Sequence, residues 1–537
     1  MKKYLALFFI VPFLSISQTA KKPKLVVGIV VDQMRNEYIY RYWNRFGDGG
    51  FKRLVNEGQY FRNAHYNYVP TYTGPGHASI YTGTSPRYHG IIANEWYDKS
   101  TKKYKGCVKD ESVKGIGTDA KAGLASPQNL LSSTIGDELK LANTKSKVFA
   151  VAIKDRSAIL PAGHAADGAF WMDESSGDFI SSSAYMQTLP KWLSDFNAEK
   201  KAANYLKTGW NTLYPIATYT NSLGDDNSFE DHPFSAKPVF PYDFQKYIDT
   251  KNVGIIRGTP YGNSITKDLA LRCIENEQLG KDDYCDLFSI SFSSTDIIAH
   301  SYGPRSIEVE DVYLRLDKDL AELFLALDTQ VGDDNYVVLL TADHRGAEVS
   351  AHMNQLKIPA GTISDKTVKK TLQHFLSKEF GDTSLLLDVG NEQVFLDVPK
   401  IQSKKLNLAE IEEKVASALL SIPGIAEAYS SAKLKYGSFP ERDIRHLLQN
   451  GCHQLRSGNV LYALQPGWMD NPPTGTTHGA AYNYDTHVPL LFYGATIPKG
   501  ENLNFVTITQ IAPSVCELIG IPQPNACLSP ILKELFK

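Results

Sequence analysis

KLVVGIVV, residues 24–31, opens on Lys24 and continues as an apolar run rich in β-branched side chains, and Asp32 ends it at once. A strand with one wet face alternates apolar and polar positions, whereas a run without polar positions is buried on both faces. Other runs have the same shape. VFAVAI (148–153) leads into Lys154, Asp155 and Arg156; LFSISF (287–292) precedes Asp296; YVVLL (336–340) precedes Asp343 and His344. VPLLF (488–492) starts directly after His487. Helical stretches separate these runs, so the reading is an α/β fold whose strands are covered on both faces by helices. Ligands of such sheets bind beyond the carboxyl ends of the strands. Most of the polar residues just named stand at that end.

The chain has 537 residues and a formal net charge of -3, so no strong field invites nucleic acid or an anionic membrane surface. Lys2 and Lys3 followed by the apolar run 4–14 read as a secretory leader, with small residues Ser15 and Ser17 placing cleavage after residue 17. No other stretch is long and apolar enough to span a bilayer. The mature protein is therefore expected to be periplasmic or secreted, without a stable membrane anchor, and a monomer. Residues 18–537 read as one catalytic domain with insertions near 167–251 and 351–474. The six cysteines are too scattered for a disulfide scaffold, and Cys273 with Cys285 or Cys516 with Cys527 could bridge locally.

Asp296 and His300 lie four apart, on one face if the segment is helical; Asp343 and His344 are adjacent; His487 begins a strand. Imidazole nitrogen and carboxylate oxygen are what zinc accepts where thiolates are absent. These groups together with Asp32 supply enough donors for two ions. Each alone is more ordinarily a surface or capping pair, and only their common place at strand ends favours a metal centre. In PTYTGPGHAS (70–79), Thr73 precedes a Gly-Pro-Gly turn and a helical run. There its hydroxyl would meet unpaired backbone N–H groups that favour phosphate, although the usual role of such a Thr is a cap. Lys154 and Arg156 can clamp phosphate oxygens or form a solvated basic strand end, and Asn94 offers amide donors or is a turn residue. His65, His77, His89, His164 and His478 stand in or near these motifs, but no ligand position is left for them and hydrogen bonding is expected.

Taken together, VVDQMR at Asp32, the Thr73 segment, GIIANEWYD at Asn94, KDRSAIL at Lys154, SSTDIIAHSYGP at Asp296, TADHRG at Asp343 and THGAAYNYDTHVPL at His487 resemble the alkaline phosphatase superfamily. The resemblance is to its Thr-nucleophile periplasmic branch from flavobacteria, with nucleotide pyrophosphatases and phosphodiesterases as near relatives. It implies a three-layer αβα sandwich around a mostly parallel central sheet. It also implies two Zn2+ per chain, one held by Asp296, His300 and His487, the other by Asp32, Asp343, His344 and the Thr73 oxygen. Thr73 would be the nucleophile, passing through a phosphothreonine, with Asn94, Lys154 and Arg156 on the phosphate oxygens. The implied activity is hydrolysis of small-molecule phosphate monoesters, with weaker diesterase activity. The alternative is a phosphodiesterase or nucleotide pyrophosphatase, which would leave one of the two cations without an anionic oxygen. A sulfatase is disfavoured because no C-x-P-x-R context surrounds Thr73. A non-catalytic binding module is disfavoured because no nucleophile or ligand is missing.

Overall fold

The computed structural model describes residues 22–470 and 474–536. The leader expected over residues 1–17 lies outside them. Eleven strands form the central sheet: β1 (Leu25–Val31), β2 (Gln59–His65), β3 (Gly115–Ile116), β4 (Val148–Ala152), β5 (Gly168–Asp173), β6 (Asp178–Ser182), β7 (Asp286–Phe292), β8 (Tyr336–Thr341), β9 (His487–Gly494), β10 (Gly500–Asn502) and β11 (Val506–Thr507). Their order is β10-β2-β9-β8-β1-β7-β4-β5-β6-β3, with β11 also on β2. The centre, β8-β1-β7-β4-β5, is parallel. β9 and β6 run antiparallel on either side of it.

The apolar runs are explained by double coverage. Every residue of β1, β7 and β8 is buried, so side chains pointing to either face meet protein. Helices α1 (Thr73–Thr82) and α2 (Asp155–Ala162) pack on each other, as do the helix Tyr261–Asn276 and the long helix Ile307–Gln330. Burying each Val, Leu, Ile or Phe contributes roughly 1.5–3 kcal/mol relative to exposure, and these layers supply the bulk of the core. Gly28 interrupts the β-branched run because the Tyr81 hydroxyl of α1 lies where its Cβ would stand.

Of the segment 167–251, the first two strands, β5 and β6, join the sheet, and the rest holds the short helices Lys191–Ala198, Lys201–Leu206 and Gln245–Asp249 joined by irregular chain. The segment 361–469 builds a four-stranded sheet of its own, Leu386–Gly390, Gln393–Leu396, Val460–Leu464 and Ile425–Ser430 in that order. It has a separate hydrophobic core that includes Val368, Leu372, Ile411, Val415 and Tyr462. All six cysteines are free thiols, so neither local bridge is formed.

Candidate active site

The register makes the catalytic rim. Val30 pairs with Thr341, Val31 with Phe292, and Ala152 with Ser291, so four parallel strands end level. The residues that follow them, Asp32, Asp343, Asp296 and Lys154, are thereby delivered to one place. Asp32 is fixed by its backbone, whose N–H donates to Phe292 O at 3.1 Å and whose carbonyl accepts from Thr295 Oγ1 at 2.6 Å. Asp296 lies in the first turn of α3 (Ser294–Tyr302), and His300, one turn on, brings Nε2 to 3.1 Å from Asp296 Oδ1.

Two groups of side chains offer ligand atoms close enough to share a metal ion: Asp296, His300 and His478, and Asp32, Asp296 and His344, the atoms of each group lying within 4.8 Å of one another. Asp343 joins the second, its Oδ2 lying 3.5 Å from His344 Nε2, as does Asp32 Oδ1. The histidines are locked in the tautomer that coordination needs. Nδ1–H of His300 donates to Thr476 O at 2.7 Å, that of His344 to Arg345 O at 3.1 Å, and that of His478 to Thr71 O at 2.7 Å. Each bond leaves Nε2 facing the acids. The rings of His344 and His478 stack at 3.5 Å and form a wall common to both groups.

His487 does not join them. It opens β9 opposite His65, stacks on that ring at 4.7 Å, and spends its Nε2–H on Arg62 O at 2.8 Å. Its place in the first group is taken by His478, which sequence reasoning had set aside. The cause is the path of the preceding loop. Thr476 N donates to His300 O at 2.9 Å, Ala347 N to Thr477 O at 3.0 Å, and Thr476 Oγ1 to Ala347 O at 2.9 Å, which stitches the loop across the rim. A Thr-His pair occurs at 477–478 and again at 486–487, and only the first is carried inward. Four other histidines that the sequence singled out, His65, His77, His89 and His164, have both ring nitrogens engaged. His77 bonds Thr73 O and Ser291 Oγ, His89 bonds Ser79 Oγ and Ile91 N, His65 bonds Thr486 Oγ1 and Asn63 Oδ1, and His164 bonds Asp137 and Leu130 O.

Thr73 is the first residue of α1, and its Oγ1 lies 3.5 Å from His344 Nε2. Asn94 Oδ1 accepts from Gly74 N at 2.7 Å, which aims the amide at the same helix terminus with Nδ2 left as donor. Lys154 Nζ reaches both groups, at 2.6 Å from Asp32 Oδ2 and 2.7 Å from Asp296 Oδ2. Arg156 enters from the first turn of α2, and its buried Nε has no hydrogen-bond partner among the described residues. Gln33, which the sequence did not single out, donates from Nε2 to Asp296 Oδ1 at 2.6 Å and from its backbone to Asp343 Oδ1 at 3.2 Å.

Acid crowding shows in the proton affinities. Burial and neighbouring Asp296 push Asp32 up to about 6 despite Lys154. Burial and Asp32 hold Asp343 well above the usual range. Burial opposes ionisation of Asp296 too, but His300 and Lys154 outweigh it and keep it well below. Burial, with His300 beside it, lowers His478 to about 3, and His344 is likewise depressed, so both rings are neutral and able to donate a lone pair. Asp32 Oδ1 and Asp343 Oδ2 are buried without a hydrogen-bond partner. Unpaired carboxylate oxygens facing a neutral imidazole lone pair are the donor set of a divalent cation. The residues present fit such an ion.

A parallel sheet with Asp/His groups and a hydroxyl at its carboxyl rim is a class to which known proteins can be compared. Residues 26–479 match the family described as type I phosphodiesterase / nucleotide pyrophosphatase, and the chain belongs to it. Within that class it is similar to the alkaline phosphatase PhoV of Synechococcus elongatus, 42% identical over 522 residues, 97% of this chain and 94% of that one. It is as similar to the alkaline phosphatase PafA of Elizabethkingia meningoseptica, 42% identical over 520 residues, 96% and 95% of the two chains. The crystal structure of wild-type PafA matches with a TM-score of 0.93 and 40% identity, covering 96% of this chain and 100% of that one. A Myroides odoratus relative named calcium-transporting ATPase is 41% identical over 527 residues, 97% of this chain and 96% of that one. Among the described residues no helix is long and apolar enough to cross a membrane.

Proposed function

We propose that the protein is an exported phosphate monoesterase working with two zinc ions and Thr73 as nucleophile. The observation that carries this reading is the convergence of the Thr73 hydroxyl on His344 at 3.5 Å, with the Lys154 ammonium touching acids of both Asp/His groups. Asp296, His300 and His478 would hold one ion; Asp32, Asp343, His344 and the Thr73 oxygen would hold the other. Bound there, the zinc pair would supply Lewis-acid stabilisation of charge on the attacking and departing oxygens. Thr73 Oγ1 forms the new P–O bond as the ester P–O bond breaks in line and the alcohol leaves. The positive end of the α1 helix dipole favours the transferred phosphoryl group. Asn94 Nδ2, Lys154 and Arg156 are the donors available to its equatorial oxygens. Water then attacks the phosphothreonine, releasing phosphate and restoring the hydroxyl.

A monoester carries one more anionic oxygen than a diester, and two cations at the site suit it. Diesterase activity is the alternative, tested by kcat/KM on matched aryl mono- and diesters; a diester preference of about tenfold or more overturns the monoesterase reading. Export rests on the charged and apolar leader. Thr73→Ala should lower aryl phosphate turnover by on the order of a thousandfold or more while metal content is retained. A variant that keeps most of its turnover ends the case for Thr73.

A further inference from the structure

The inserted unit of residues 361–469 touches the catalytic rim through the tip of one hairpin. Strands Leu386–Gly390 and Gln393–Leu396 pair antiparallel with Gly390 opposite Gln393, so Asn391 and Glu392 alone make the turn. Both have φ of 54°, the two-residue turn with two left-handed positions. Such positions favour Gly or Asn, and a Glu there carries a conformational cost unless its side chain is used.

Both side chains are used, and on the site. Glu392 Oε2 accepts from the Tyr72 hydroxyl at 3.1 Å, and Tyr72 immediately precedes Thr73. Asn391 Nδ2 donates to Glu95 O at 2.8 Å, and Glu95 immediately follows Asn94. The turn is braced from behind, since Tyr462 N donates to Glu392 O at 3.0 Å and Phe395 packs on Tyr97 at 5.4 Å. Burial, with Asp365 and Asp470 close by, holds the Glu392 carboxyl well above the usual range. Tyr72 also packs edge-on against His478 at 5.5 Å.

We infer that the Asn391-Glu392 tip is a positioning device for the reaction, gripping the residue before Thr73 and the residue after Asn94 and so setting the nucleophile and the phosphate-binding amide relative to each other. This rests on the proposed function, and its test separates the two. Thr73 and Asn94 already meet through the Gly74 N to Asn94 Oδ1 bond, so a grip on both flanks adds alignment rather than a new contact with substrate. Misplacing a reacting group by about 1 Å costs on the order of a hundredfold. Losing one prong should cost less, about tenfold in kcat/KM.

The experiment replaces the turn by glycines, which keep both left-handed positions while deleting the prongs. Asn391→Gly, Glu392→Gly and the double variant are assayed on an aryl phosphate at fixed metal content, alone and in an Asn94→Ala background. Expected is a fall of about tenfold for each and more for the double variant, mainly in kcat, with Glu392→Gln losing less because it keeps an acceptor for Tyr72. In the Asn94→Ala background the Asn391→Gly loss should largely vanish, because the amide that the contact positions is gone. A Gly-Gly variant with full kcat/KM, or an Asn391→Gly loss undiminished by Asn94→Ala, overturns the inference. An unsubstituted protein without phosphatase activity overturns the function on which it rests.

Discussion

Replacing His478 and His487 one at a time distinguishes the two Thr-His pairs, and the structure sets the size of each effect. His478 offers Nε2 to the group of Asp296 and His300, with Nε2 3.8 Å from Asp296 Oδ1. Losing a group that merely orients a ligand lowers metal affinity about 10–100-fold. Deleting a donor itself should cost at least that, about 1.4–2.8 kcal/mol or more of binding free energy. His487 contributes one hydrogen bond to Arg62 O and a stack on His65. Those are worth about 1 kcal/mol and about 0.5–1.5 kcal/mol, and both act on stability alone. Zinc stoichiometry measured across a chelator-buffered series, together with thermal unfolding, reads both quantities. His478→Ala should lose one ion per chain at free zinc levels where the unsubstituted protein keeps two, and its turnover should fall with that ion. His487→Ala should keep both ions and melt earlier. Metal lost from His487→Ala but retained by His478→Ala would refute the assignment.

Other perturbations test the rest of the rim. Lys154→Ala and Arg156→Ala should each lower kcat/KM on an aryl monoester by about 10²–10³, and less on the matched diester, an equal fall on both arguing against phosphate clamping. Gly76→Ala would ordinarily stabilise a helix by up to about 1 kcal/mol. Here its Cβ would overlap the Asp343 carbonyl, so a net loss of about 1–3 kcal/mol and weaker zinc retention are expected in denaturation and metal assays. Burial would raise the Glu348 carboxyl, but Arg35 and Arg305 outweigh it and hold it at about 2 against an ordinary 4.5. A depressed carboxyl stabilises above its unfolded pKa and loses that contribution as pH falls toward the folded one. Glu348→Gln should therefore cost up to roughly 3 kcal/mol near neutrality, the gap closing between pH 4.5 and 2; a pH-independent gap in denaturant titrations contradicts this.

The parallel centre was legible because double burial leaves a strand with few polar positions, Ser289 and Ser291 of LFSISF among them, and Asp32, Asp296, Asp343 and Lys154 were legible because they follow such runs. VPLLF looks the same yet runs antiparallel, since strand direction leaves no mark on an apolar run. That hid the fact that His487 pairs with His65 toward the sheet edge. His478 was illegible for a different reason. It sits in no strand or helix, and its place depends on bonds from residues 476–478 to Thr71, His300 and Ala347, all remote in sequence. An insertion was expected near 351–474, but the strand pairing within residues 361–469 was hidden, because its sheet joins strands as far apart as Leu386–Gly390 and Val460–Leu464.

The site thus divides its donors between two kinds of support. Asp32 and Asp343 follow parallel strands, and Asp296 lies in the helix that starts just after a third, so their spacing depends on a register that a one-residue slip would destroy. The imidazoles hang from backbone carbonyls of Thr71, Arg345 and Thr476, so their orientation is only as firm as those loops. Mutations in the core of the sheet should then move the acids together, altering turnover and metal affinity in step. Mutations in the loop 474–482 should move His300 and His478 and weaken one ion before the other. The nucleophile is held by neither support alone. Thr73 starts a helix packed in the core, but the residue before it is bonded to Glu392 and the residue after it to Asn94, so its aim is set where sheet, helix and inserted hairpin meet.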